Sequence, residues 1–132
     1  MKIVETNPPN GIREACEKKF DLSNSTCIWT YGDTLYNPHK GNIDPFTEAH
    51  ETVHTIQQGK DPDGWWEKYL ASSNFRFKQE LEAYRVEYRT FVKVVKDRNF
   101  QTRFLNDKAL QLSGPHLGSL ATVQQAKDLI RD

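Results

Sequence analysis

Three features of the sequence predict an α+β domain. Ser25 to Tyr31 is dense in β-branched and aromatic side chains and runs straight into Gly32-Asp33 and Thr34-Leu35-Tyr36, the pattern of an antiparallel β-hairpin. Most of the remaining chain carries apolar residues at helical spacing, interrupted by Gly and Pro. A length of 132 residues is enough to bury one core and too short for two, so residues 1–132 read as a single domain.

Taken in order, Asn7 to Gly11 is a Pro- and Asn-rich loop and Ile12 to Phe20 a short helix. The hairpin follows and closes on the loop Asn37 to Asn42. Asp44-Pro45 opens the next helix, because Asp accepts from the free N–H groups of the first turn and Pro loses nothing at the first helical position. That helix runs to about Gln58 and stops at Gly59. Asp61-Pro62-Asp63-Gly64 reads as a turn and Trp65 to Leu70 as a short helix. Asn74 to Asp97 reads as one long helix, since Phe77, Leu81, Tyr84, Tyr88, Phe91 and Val95 recur at its period. Two more helices, Phe100 to Leu112 and Thr122 to Arg131, lie either side of the breaker Ser113-Gly114-Pro115.

Composition narrows the function. Seven Phe, five Tyr and three Trp supply enough large side chains to offset chain entropy, which excludes intrinsic disorder. Eighteen basic residues against eighteen acidic ones leave no excess charge to neutralise phosphates, so nucleic acid is not an expected partner. No apolar run is long enough to span a bilayer and Met1 to Pro9 lacks the apolar core of a secretory signal, so a soluble cytoplasmic protein without a membrane partner is expected. Cys16 and Cys27 allow one disulfide at most, and two reduced, half-buried thiols are the default in that compartment.

The chemistry concentrates in Ala49-His50-Glu51-Thr52-Val53-His54, an H-E-x-x-H motif inside the predicted helix. Two His at i and i+4 stand one turn apart on one side, so their imidazoles can converge on a metal while the intervening Glu reaches a water beside it. Random order would produce this pattern roughly once in a hundred such sequences, which makes chance a poor explanation. On the helical wheel Phe46, Ala49, Val53 and Ile56 form an apolar stripe, and His50, His54 and Gln57 fall together on a strip beside it, roughly 60° to 120° from its centre. That edge position suits the wall of a cleft.

A catalytic zinc site has three protein ligands and an open position. With the stripe from Phe77 to Val95 facing inward, Glu80 lies about 60° from its centre and Glu82 about 140° away. Glu80 is therefore the inward carboxylate, a costly placement unless it is paired or bound to metal. The bland alternative for Glu80 is a salt bridge to Arg76 or a neighbouring Lys. Glu82 and Glu87 read as solvated helix charges, and Trp65 and Trp66 as packing.

H-E-x-x-H followed by a helix bearing Glu80-Leu81-Glu82-Ala83 resembles the gluzincin metallopeptidases, the thermolysin-like branch of the zincins, in a very small form. The likeness extends over roughly residues 12 to 97 and is specific only at the two motifs. It implies a minimal zincin-like fold, in which the small antiparallel sheet or hairpin packs on the helix of the two His and on the long helix of Glu80, with a helical C-terminal part. It also implies one Zn²⁺ held by His50, His54 and Glu80, and a peptide or protein substrate hydrolysed with Glu51 as general base. Such enzymes often hold a ligand His with an acidic or polar residue four positions after the ligand Glu, where this chain has Tyr84. They commonly stabilise the oxyanion with a His or Tyr, for which Tyr36, Tyr88 and His116 are candidates, although His116 also reads as an ordinary loop residue. The Cys27 to Tyr36 hairpin corresponds to the edge strand that pairs with an extended substrate, or is simply a sheet edge. The competing reading is a noncatalytic zinc-binding module, or a latent enzyme whose C-terminal segment covers the cleft. A third is a partner-binding protein without metal.

Overall fold

The computed structural model describes residues 1–23 and 26–132. Among the described residues, six α-helices and a three-stranded sheet make up an α+β fold. Its elements are β1 (Lys2–Val4), α1 (Ile12–Lys19), β2 (Trp29–Tyr31), β3 (Thr34–Tyr36), α2 (Pro45–Gln58), α3 (Pro62–Ala71), α4 (Ser73–Val94), α5 (Arg98–Leu112) and α6 (Val123–Arg131), with a 3₁₀ turn at Pro115–Leu117.

The expected antiparallel sheet is in fact mixed. β2 and β3 pair antiparallel with Thr30 opposite Leu35, while β1 adds in parallel on the far side of β3, giving the order β1-β3-β2. Lys2-Ile3-Val4 is too short to show an alternation, and its pairing is fixed from outside: Lys2 N–H donates to the Asp33 carbonyl and Asn37 N–H to that of Val4. The ladder of β2 begins at Trp29, so Thr26 to Ile28 precede it and line a cleft instead. Ser25, the expected start of the strand, lies outside the described residues.

Helix caps follow the sequence closely. Asp44 accepts from Thr47 N–H at 2.7 Å with Pro45 at the first position, and the chain leaves α2 through Gly59 at φ 55°. The stretch expected as a turn before Trp65 is itself the start of α3: Asp61 caps Gly64 N–H at 2.9 Å and Pro62 opens the helix, the same chemistry as at Asp44-Pro45. Asp97 does not end the long helix but caps α5, accepting from Asn99 and Phe100 N–H. Thr122 and Gln125 form a reciprocal capping box on α6.

Two apolar clusters hold these elements together. Ile12, Cys16, Trp29, Trp65 and Trp66 join α1, β2 and α3, whereas Tyr84, Leu105, Ala109, Leu112, Leu117, Ala126 and Ile130 join α4 to the C-terminal elements. Helix α4 lies between them, packing on α2 and α3 and also on α5 and α6. Its expected stripe is half-buried at Phe77, Leu81 and Tyr88, and its most buried residues are Arg76, Ala83, Tyr84 and Glu87. The stripe expected on α2 also shifts. Ile56 is 73% exposed, and the buried face is His50, Val53, His54 and Gln58. Polar side chains with assigned partners displace apolar ones on both facing ridges.

Trp65 and Trp66 are buried packing residues, as expected. Cys16 is buried and not bridged to the half-buried Cys27, and burial pushes the Cys16 thiol up. No helix among the described residues is long and apolar enough to cross a membrane. Helix α6 contributes nothing to the lining of the cleft and is committed to the second cluster, where Leu117, Ala126 and Ile130 are 0% exposed. Ending the chain after Leu112 removes all three, and loss of one such Leu or Ile alone costs about 2–5 kcal/mol. The expected result is loss of the cooperative unfolding transition in circular dichroism. A truncated chain that melts like the full one would show that α6 is not part of the core.

Candidate metal centre

The site lies where the two clusters meet. His50 and His54 project from α2, Glu80 from α4, and the His50 ring packs edge-on against Tyr84 at 4.6 Å while His54 lies 5.3 Å from the Trp65 ring. His50 Nε2, His54 Nε2 and Glu80 Oε1 form a triangle with edges of 3.0, 2.9 and 3.2 Å. Among the described residues this is the one cluster of His, Cys and carboxylate side chains arranged to hold a metal ion. Three ligand atoms at tetrahedral angles about 2.0–2.1 Å from one ion stand about 3.3 Å apart. The triangle therefore has close to the dimensions of a coordination face.

The other ring nitrogens explain why these atoms face one another. Gln57 Nε2 donates to the Gln79 carbonyl at 3.0 Å, which turns Gln57 Oε1 toward His54 Nδ1 at 2.7 Å. His54 Nδ1 is therefore the donor. His50 Nδ1 likewise donates to Glu87 Oε1 at 2.8 Å. With both Nδ1 atoms committed, each neutral imidazole presents its Nε2 lone pair, and three acceptors converge on one point with no donor of their own. A cation or shared protons must occupy that point.

Within the chain, protonation serves. Burial disfavours the charged form of His50, but its hydrogen bonds to Glu80 and Glu87 prevail and raise its pKa to about 10. His54 is also raised, against burial, by the Glu80 charge. Burial acts to raise Glu80, yet the two His hold its carboxyl well below the usual carboxylate range. A metal ion entering such a site would displace these protons.

Glu80 Oε2 accepts from the Tyr69 hydroxyl at 2.6 Å, which leaves Oε1 alone for the triangle. Burial first, then the charge of Glu80, pushes the Tyr69 hydroxyl well above 10, so it remains a donor. Replacing Tyr69 by Phe frees the second oxygen, and metal affinity is expected to fall about tenfold, the lower end for losing a ligand's supporting hydrogen bond. Chelator competition measures this. An unchanged affinity in a folded Tyr69→Phe protein would remove Tyr69 from the site.

Glu51, between the two His, reaches the same cleft, and the Thr30 hydroxyl of β2 donates to its Oε2 at 2.7 Å. The cleft has a volume of about 810 Å³ and is also bordered by Tyr69, Tyr84, Arg76 and His116.

The structure thus brings His50, Glu51, His54 and Glu80 together and sorts the remaining candidates. His116, on the 3₁₀ turn, lines the cleft. Tyr36 packs in the aromatic cluster and Tyr88 against the C-terminal one, and neither lines the cleft. Glu82 is exposed as expected, but Glu87 is not a solvated charge. It is 3% exposed, bonded to His50 and paired with Lys108 Nζ at 3.2 Å. Glu87, seven positions after Glu80 rather than four, is thus the acidic residue that holds His50 in place. Arg76 does not pair with Glu80. It donates to the carbonyls of Tyr69, Leu70 and His116. The outward edge of the hairpin is partly filled: the Gln58 amide donates to the Thr30 carbonyl and accepts from Gly32 N–H, both at 2.7 Å, and Trp66 Nε1 also donates to Thr30. An extended substrate cannot pair with β2 at Thr30 to Gly32 while these bonds persist.

Fold and site together define an α+β protein with a His-His-Glu cluster that could hold a metal ion. Neither a family model, nor a curated protein, nor a solved structure matches this chain.

Proposed function

We propose that this protein is a zinc-dependent metallopeptidase, similar in its chemistry to the gluzincins. The observation that carries the reading is the convergence of His50, His54 and Glu80 on one point beside a cleft that Glu51 also enters. Two imidazoles and one carboxylate form the mixed N/O set of hydrolytic zinc sites. Zinc in such a site polarises a carbonyl and acidifies water.

The remaining work falls to the chain. Glu51 Oε2 is anchored by Thr30, and its Oε1, with no partner among the described residues, takes the proton from water and returns it to the leaving amine. His116 lines the cleft and is a donor available to the developing oxyanion, whereas the Tyr69 proton is committed to Glu80 Oε2. Glu87 and Gln57 hold the two imidazoles in the tautomer that this chemistry requires.

One observation favours a noncatalytic metal-binding module instead, the filled edge at Thr30 to Gly32, which removes part of a peptide-binding strand. Zinc-loaded protein incubated with a fluorescently labelled unfolded protein separates the two. Cleavage that stops on chelation supports the peptidase, and bound zinc without cleavage supports the module.

A further inference from the structure

Arg76 is 5% exposed, and no carboxylate among the described residues lies within ion-pair distance of it. Its Nε and Nη1 donate to three backbone carbonyls, and its guanidinium lies over the Phe20 ring at 5.1 Å. These contacts hold the group in place without cancelling its charge, and a buried charge without a counter-ion is costly. Nη2 has no hydrogen-bond partner among the described residues, yet it is not sealed from solvent. Arg76 lines the cleft beside the His50-His54-Glu80 triangle, and Nη2 is its one guanidinium nitrogen with no partner among the described residues.

Its position relative to the cluster fixes what it can meet. Arg76 and Glu80 are one turn apart on α4, about 6 Å along the axis at 1.5 Å per residue. An extended peptide advances about 3.3–3.6 Å per residue. A group held at Arg76 thus belongs to a residue one or two places from whatever lies at the His50-His54-Glu80 triangle. With Nε and Nη1 already donating to carbonyls, Nη2 is left to give a single charge-assisted hydrogen bond, for which a carboxylate is the matching acceptor.

We infer that Arg76 is a substrate-binding residue whose Nη2 receives a peptide carboxylate one or two residues from the bond to be cut. The inference rests on the peptidase reading for the identity of that bond. Two sources share the chemistry, the C-terminal carboxylate of a short peptide and the side chain of an acidic residue.

The experiment measures binding rather than turnover, by calorimetric titration of zinc-loaded Glu51→Gln protein with N-acetylated alanine-leucine pentapeptides. The first pair differs only in a C-terminal acid or amide, and the second, both amides, in Glu or Gln at the penultimate position. The charged member of one pair is expected to bind about 10- to 100-fold tighter, the value of one charge-assisted contact, and which pair responds identifies the source. Equal binding within both pairs overturns the inference.

Because a metal ion also attracts carboxylates, the titration is repeated on folded Arg76→Gln protein and on chelated wild type. The preference is expected to vanish in the variant and to survive chelation. The reverse pattern assigns the carboxylate to the metal and overturns the inference, and the chelated arm decides alone if the variant does not fold. A protein that binds the charged peptide tightly but cleaves nothing keeps this inference and loses the peptidase. One that cleaves the two members of each pair equally does the opposite.

Discussion

Glu51→Gln is expected to lower peptide hydrolysis by about 10²–10⁴-fold while leaving zinc content unchanged. The substitution keeps the shape of the side chain and an oxygen that can accept from the Thr30 hydroxyl, so the local packing of α2 on β2 is preserved. It removes the ability to take a proton. Because Glu51 is absent from the His50-His54-Glu80 triangle, the ligand set is intact and metal analysis should match wild type. Loss of metal together with activity would mean that Glu51 organises the site rather than acting on the substrate. Unchanged hydrolysis would remove it as general base.

Glu87→Ala is the second large effect, and it separates positioning from proton transfer. The carboxylate is buried between His50 Nδ1 at 2.8 Å and Lys108 Nζ at 3.2 Å, bridging the metal centre to α5. Its removal leaves an ammonium with 16% exposure beside an unfixed imidazole. Breaking a buried pair from one side costs about 3–5 kcal/mol of stability. Losing the support of a ligand His costs about 10- to 100-fold in metal affinity. Glu87→Gln retains an acceptor for His50 and should recover most of the affinity but not the stability, because Lys108 then keeps only the exposed carboxylate of Asp107 at 3.6 Å. Denaturant unfolding and chelator competition read the two effects separately. A Glu87→Ala protein with wild-type zinc affinity would show that the hydrogen bond to His50 does not orient the ligand.

Much of the site is legible in the sequence because it depends on spacing within single helices. His50, Glu51 and His54 are set by one motif, and Gln57, which fixes the His54 tautomer, falls on the same strip of the wheel. Glu80 emerges from its inward direction on α4. The wheel carried Glu87 too, two turns beyond Glu80 and on the ridge with Ala83, but an isolated Glu on a charged helix reads as solvated until a partner on another element is known. That partner is Lys108, twenty-one positions later and placed by the packing of α5 on α4.

The same limit explains Tyr69 and Thr30, whose hydroxyls reach Glu80 and Glu51 from other elements. It explains the oxyanion candidates as well, since Tyr36, Tyr88 and His116 had no spacing to rank them and only His116 borders the cleft. In the fold, local signals were reliable at Asp44-Pro45 and Gly59, which cap α2 by side-chain and backbone chemistry within four residues. The parallel strand β1 depends on a partner some thirty residues away and left no local trace. Hydrophobic stripes misjudged both facing helices, because the surfaces that α2 and α4 turn to each other carry His, Gln, Arg and Glu.

The central claim is that one divalent ion binds to two imidazoles and one carboxylate, and anomalous diffraction from zinc-soaked crystals tests it most directly. A single strong peak is expected about 2.0–2.1 Å from His50 Nε2, His54 Nε2 and Glu80 Oε1. An anomalous map with no peak there, or with zinc bound by other side chains while the triangle keeps its hydrogen bonds, would contradict the account.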